Sequence, residues 1–454
     1  MSNFKKLDLF FIFLSIIFGA LILFFPIQKL LIMFLGVIFL TLLVAKPKYC
    51  FYLMLLLSTY VFPFETEARQ LPFNQTDILI SLCFIGALVR ILFLDQRFNP
   101  KTRIDKWIII LLILYFLAGF TSISHRGYQG FLKFGETVTV FYLSIYFIRT
   151  KEIKISNLIR FILFIGIFQA SYGILQSLTG SFGANFQSER GLLGYIGLGS
   201  KLVWHGRGTF AHFNHFGPFL SMIFLFFLPI NHFLVKNKKK GYMILLILLT
   251  GVIISYSRAS LLGLVAGIIF FLFQIKKNKL KFLSILVSVL LVALGLYNFL
   301  KNTSYITTLA PRNDIWEVVF TAITSSTRTL LFGTGLKSYT DAVWVYLPGN
   351  ILPSSYNDFQ AHNFCLHYIV EIGIIGSIIV LSFLIYTIVA AYSNFKTNTK
   401  LAKVLSSSTS IVIVCFFFEG LFDTAFNLFT IQIWLFLILG LMYSKVPIIN
   451  KVKR

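Results

Sequence analysis

Two arginines and a histidine stand at three distant points of this chain, each in a short polar island between apolar runs. Arg207 lies in Gly206-Arg207-Gly208-Thr209-Phe210-Ala211-His212-Phe213-Asn214-His215-Phe216-Gly217. Arg258 lies in Ser255-Tyr256-Ser257-Arg258-Ala259-Ser260, and His362 in Gln360-Ala361-His362-Asn363-Phe364-Cys365-Leu366-His367. A guanidinium fork binds phosphate oxygens bidentately and keeps its charge when partly buried. An imidazole titrating near neutrality can take or orient the proton of an attacking hydroxyl. A diphosphate leaving group needs its developing charge stabilised, so two arginines and a histidine suit such a ligand. Read singly, each has an ordinary explanation. Arg207 could reach the membrane interface from a loop, Arg258 could be satisfied by hydroxyls and carbonyls, and His362 could be a hydrogen-bonded interface residue. His367, one turn deeper, could be packed in the same way.

The elements that must position them are membrane helices. The chain has 454 residues, 57% hydrophobic and only 12% charged, with 53 phenylalanines, and its mean hydropathy is +0.84. A soluble protein carries about a quarter charged residues. This excludes a soluble enzyme, a disordered chain and a disulfide scaffold, and leaves an all-α polytopic membrane protein. The net charge of +24 would suggest nucleic acid in a soluble protein. Here the basic residues cluster in short loops, where they set topology. Cys50, Cys83, Cys365 and Cys415 lie in or beside apolar runs without CxxC spacing and read as packing residues. The first run, 7–25, reads as a retained span.

Apolar runs predict spans near 7–25, 30–45, 49–64, 78–94, 107–123, 137–148, 158–178, 210–235, 242–257, 259–275, 282–300, 366–392, 404–420 and 425–443, about fourteen in all, or twelve to fourteen allowing for mis-cut ends. The stretch 242–275 has lysine clusters on both flanks and is too long for one crossing of roughly 30 Å. It must be a hairpin turning near Ser257-Arg258-Ala259. With the N-terminus inside, the inner loops and span ends hold 28 of the 40 lysines and arginines, so both termini are expected to be cytoplasmic. Arg207, Arg258 and His362 then all fall on the outer face. Four stretches result: 1–209, N-terminal helices and outer loops; 210–300, helices including the Arg258 hairpin; 301–363, a large outer loop; and 364–454, C-terminal helices. In the loop, Asn313-Asp314 is expected to cap a helix whose apolar face (Ile315, Trp316, Val319, Phe320, Ile323) lies on the outer membrane surface, broken by Gly333-Thr334-Gly335.

The ordered series GRGTFAHFNHFG, SYSRASLLG, RNDIW followed by LLFGTG, and AHNFCLHYIVEIGIIG resembles the O-antigen ligase and polymerase family of bacterial envelope glycosyltransferases. The likeness runs from Arg207 to Gly376. Phe213 stands where such proteins often carry proline, and fourteen spans exceed the twelve or so usual there. The resemblance implies a metal-independent glycosyltransferase in the bacterial inner membrane, with no cofactor and no nucleic-acid partner. It would move a glycan from an undecaprenyl-diphosphate carrier to lipid A–core or another envelope acceptor. Carried over by motif, Arg207 and Arg258 would hold the donor diphosphate and His362 would act on the acceptor hydroxyl. Arg190, His212, Asn214, Ser257 and Asn363 would be further substrate contacts. No DxD motif is present, and Glu65-Thr66-Glu67 is the nearest acidic pair. A repeat-unit polymerase would use the same donor. A lipid-linked oligosaccharide flippase, the alternative of another class, predicts related halves and mid-membrane charges, and no related halves are visible.

Overall fold

The computed structural model describes residues 40–42, 44–60, 74–95, 98–180, 205–275, 310–347, 360–397, 399–424 and 427–445. The expected spans 7–25 and 282–300, most of 30–45, and Arg190, Glu65 and Glu67 lie outside them. The remaining eleven expected spans each correspond to a helix: α1 (Pro47–Leu57), α2 (Gln75–Phe93), α3 (Asp105–Phe120), α4 (Gly127–Arg149), α5 (Ile155–Thr179), α6 (Phe213–Phe233), α7 (Lys238–Ile254), α8 (Arg258–Ile275), and, after the outer segment, α12 (Phe364–Thr397), α13 (Lys400–Gly420) and α14 (Phe429–Lys445). The outer segment itself carries α9 (Ala310–Thr324), α10 (Thr327–Phe332) and α11 (Tyr339–Trp344). Among the described residues, 7 helices are long and apolar enough to cross a membrane. The protein is an all-α polytopic membrane protein.

Helices α6 and α13 form the centre, with 78% and 72% of their span residues buried, against 39% for α2, α8 and α12. Small residues make this approach possible, as expected where close backbone packing drives association in lipid. Ser406 to Ser410 of α13 are all fully buried. Gly263 and Gly267, four apart on α8, lie so close to α13 and α6 that an added Cβ would meet the Cys415 carbonyl at 2.7 Å and Leu225 Cδ1 at 2.5 Å. The expected hairpin is present: α7 stops at Ile254 and α8 starts at Arg258, with Tyr256 at φ 55 in the turn.

The outer segment is pinned to the bundle by a break in α12. Gly373 has φ 70 and ψ 178 inside that helix, which releases carbonyls from the helical ladder. Val370 O accepts Thr334 N–H and Glu371 O accepts Gly335 N–H, each at 2.8 Å. Leu336 N–H donates to Ala118 O at 3.0 Å, and Ser122 Oγ to Leu336 O at 2.8 Å. Gly335, at φ 100, passes so close to Ser122 that a side chain would not fit. The Leu331–Gly335 motif is therefore a structural clasp.

Two expectations for the outer helix are corrected. It begins at Ala310, so Asn313 and Asp314 lie inside it rather than capping it; Pro311, in the first turn, suits a position whose N–H has no helical partner. The helix also ends at Thr324, ahead of the expected break. Its apolar face does not lie free for a membrane surface: Val318, Val319, Ala322 and Ile323 pack with Tyr339, Val343, Leu366 and Val370 in a satellite core. Only Phe320 of the expected face is exposed. The start of α12 offered it more apolar area than a sequence period can foresee.

Candidate active site

Arg207 is placed by α5. Gln169 and Gln176, seven residues apart on one helix face and 1% exposed each, read the loop backbone. Gln176 Oε1 accepts Arg207 N–H at 3.0 Å and its Nε2 donates to Gly208 O at 2.9 Å. Gln169 Oε1 accepts Thr209 N–H at 3.0 Å and its Nε2 donates to Thr209 Oγ1 at 2.7 Å. Between them, Gly173 lies against Gly206, where a Cβ would meet the Gly173 carbonyl at 2.6 Å. Gly208, at φ 58, adopts a left-handed turn that glycine takes without strain. The loop thus satisfies its buried polar groups on side-chain amides, and the half-buried Arg207 donates from Nη1 to Ala211 O at 3.0 Å.

The Arg258 turn touches this loop. Gly206 N–H donates to Ile254 O at 3.1 Å, and the His205 ring stands 4.7 Å from Tyr256 and 4.8 Å from Phe213. Arg258 is exposed at the first position of α8. Ser257 precedes it as the helix cap, its Oγ 3.4 Å from Ser260 N. Ser260 Oγ lies 2.8 Å from Ser257 Oγ and donates to Glu419 Oε1 at 2.7 Å. Glu419, fully buried on α13, joins the Arg258 turn to the end of that helix.

His362 closes the arrangement from the other side. Asp423 Oδ1 lies 3.7 Å from its Nδ1, beyond hydrogen-bond length but close enough for the carboxylate to face an imidazolium. His362 has φ 46, a left-handed conformation rare outside glycine. Its neighbours hold it there: Trp316 Nε1 of α9 donates to Ala361 O at 2.8 Å, Thr424 Oγ1 to Gln360 Oε1 at 2.6 Å, and Asn363 Nδ2 to Leu421 O at 3.1 Å. Asn363 Oδ1 also accepts Leu366 N–H at 3.1 Å, capping α12. Both ends of the Asn363 amide are occupied by the protein's own backbone.

His212 reports the convergence. Burial lowers its pKa chiefly, and the charges of Asp423, which raises it, and of His205, Arg207 and His362, which lower it, all reach it. Its Nδ1 accepts Asn214 N–H at 3.1 Å, capping α6. Asn214 is half-buried in the first turn of that helix. The structure therefore sets the Arg258 turn against the Arg207 loop, and places His212 within electrostatic reach of Arg207, His362 and Asp423. His367 is separate: its ring stacks on Tyr339 at 4.6 Å and its Nε2 lies 3.3 Å from Glu371 Oε1. Sequence reasoning missed His205, Gln169, Gln176, Glu419 and Asp423. Glu419 and Asp423, one helical turn apart at the end of an apolar run, carried a usable signal, because acids at a span end are rarely idle.

Among the described residues no group of three or more His, Cys, Asp or Glu is placed to hold a metal ion. No curated protein matches the chain. Residues 243–381 match the O-antigen ligase family, a segment that includes Arg258 and His362 but starts beyond Arg207 and His212. Its two ends meet in space where α8 and α12 both pack on α13. That match falls on the segment that carries the hairpin arginine and the strained histidine, and over it the chain is similar to the O-antigen ligase family.

Proposed function

We propose that the protein transfers a glycan from an undecaprenyl-diphosphate carrier to a hydroxyl of an envelope acceptor at the outer face of a bacterial inner membrane. The match of residues 243–381 to the O-antigen ligase family supports the coarser statement, a multi-pass membrane glycosyltransferase of the ligase or polymerase type. The observation that supports the finer reading is the Arg258 turn bonded to the Arg207 loop, with the His362–Asp423 pair within electrostatic reach of His212 beside that loop.

In this reading Arg207 and Arg258 hold the diphosphate oxygens. The acceptor oxygen attacks the anomeric carbon as His362 takes or orients its proton, and the bond from that carbon to the phosphate oxygen breaks. The negative charge then develops on the diphosphate, where the two guanidinium groups stabilise it. Asp423 faces the imidazolium formed at His362. Arg190 is a further donor contact in the proposal; Ser257 and Asn363 serve by fixing the backbone beside Arg258 and His362.

The test is transfer in vitro from a defined lipid-diphosphate donor, with a chelator present throughout. Activity of the wild-type protein is expected to survive the chelator, and its abolition would overturn a metal-independent mechanism and direct attention to Glu65 and Glu67. The envelope of a deletion strain separates the two acceptor classes. Complete loss of glycan chains with lipid-linked polymer accumulating marks a ligase, and an acceptor bearing one repeat unit marks a polymerase. An unchanged glycan profile would sink both.

A further inference from the structure

A second polar feature lies beside the His362–Asp423 pair and is built from the same two segments. Five residues past His362, α12 presents His367, Tyr368 and Glu371; four residues past Asp423 comes Asn427. With Lys133 of α4 and the exposed Lys337 they line a cavity of about 70 Å³. His367 lies in the first turn of α12.

Two of the charged lining residues have partners within the protein. Lys133 pairs with Asp77 and, at 3.5 Å, with Glu136, while Glu371 pairs with His367. The Tyr115 and Tyr368 hydroxyls meet at 3.2 Å at its deep end. Among the shielded lining atoms without a hydrogen-bond partner in the protein are the amide nitrogen and oxygen of Asn427 and Nδ1 of His367, beside the ion-paired Lys133 Nζ. Such groups are costly to leave unmatched. An anion would meet the exposed Lys337, but the Asn427 amide calls for a neutral partner. A neutral hydroxyl-bearing ligand would find a donor and an acceptor on one amide, with the Phe429 ring also in the lining.

We propose that this cavity is a sugar subsite for the acceptor, holding one edge of the residue next to the hydroxyl that His362 serves. The proposal rests on the transferase reading for its role and on the cavity alone for its ligand class. Neither Arg207 nor Arg258, the proposed donor contacts, lines this cavity. A sugar seated by Asn427 would therefore leave those contacts untouched.

The test uses the full chain in nanodiscs, with methyl α-D-glucopyranoside and methyl β-D-galactopyranoside as probes in saturation-transfer NMR. At least one glycoside should receive saturation from the wild type and from Arg258→Ala, and several-fold less from Asn427→Leu and Gly130→Ala. Gly130 lines the cavity, and a methyl there would push Leu336 into it. In the transfer assay, Asn427→Ala should raise the acceptor KM about 10-fold at an unchanged donor KM. Size-exclusion profiles and circular dichroism establish which variants fold. Absence of glycoside binding to the wild type, or undiminished binding to the folded variants, would mean the cavity holds only water and would end the proposal. Transfer with an unaltered acceptor KM would end it while leaving the transferase reading standing. Glycoside binding without any transfer would do the reverse.

Discussion

The Arg207 loop and the His362 segment, the two walls of the proposed site, are held by opposite means. Around Arg207 the backbone is satisfied: two buried glutamines take its N–H and C=O groups, and glycine occupies the left-handed position at residue 208. Around His362 a non-glycine residue is itself left-handed, which costs of the order of 1–3 kcal/mol, and Nδ1 is shielded without a hydrogen bond. The first wall is built to present a charge at a fixed place. The second holds an imidazole under strain beside a carboxylate, an arrangement that persists because Trp316, Asn363 and Thr424 fix the backbone around it. The difference matches the division of labour proposed above: a bound diphosphate needs a rigid cradle, and a proton-transfer group needs unspent hydrogen-bonding capacity.

Substituting His362 breaks the second wall most sharply. His362→Gly keeps the left-handed backbone and removes the imidazole, so turnover should fall about 10²- to 10⁴-fold with donor KM little changed and thermal stability maintained. Near-normal turnover by this variant would remove the histidine from the mechanism. On the first wall, Arg258→Lys keeps charge but loses the fork, and kcat/KM for the donor should fall roughly 10- to 100-fold, the worth of one charge-assisted hydrogen bond. A wild-type rate would show that charge attraction suffices.

Gln176→Leu tests whether the cradle must be rigid. It leaves the Arg207 N–H and the Gly208 carbonyl unsatisfied, at about 1–3 kcal/mol each. Thermal stability should drop and donor KM rise, with acceptor KM unaffected; a change confined to acceptor KM would reverse the assignment of the two walls. The smallest effect concerns His212. Its pKa is about 6.5 when unfolded and is lowered in the fold, chiefly by burial. The unfolded chain therefore binds more protons in this window. The stability is complete above pH 6.5 and is lost as pH falls toward the folded value. Comparing melting temperatures at pH 7.5 and pH 5, His212→Asn, which can still cap α6, should flatten the fall. An identical slope in wild type and variant would remove His212 as its source.

Much of this was readable before any coordinates. Run length gave the eleven described span helices, and the lysine clusters flanking 242–275 required the break that the structure places at 255–257. The arginine and histidine motifs were found because polar residues interrupting hydrocarbon-length runs are costly without a purpose. The outer helix was misread because a period of apolar residues does not say what will cover them. Glu371-Ile372-Gly373 looked like continuous helix, since nothing local reveals that Thr334 and Gly335 will take the carbonyls a glycine break exposes.

By itself the sequence determined a bundle of membrane helices, the hairpin that carries Arg258, and the chemical type of the three motifs. These follow from local quantities: the length of an apolar run against the membrane thickness, the placement of lysines, and the functional groups on individual side chains. Only the tertiary structure decided that Asp423 faces His362, that Gln169 and Gln176 hold the Arg207 loop, and that Asn427 lines a cavity. Those pairings join residues 31 to 61 positions apart or more through helices packed side by side. Their reach depends on crossing geometry and on which small residues let backbones approach, and a one-dimensional pattern does not carry that information.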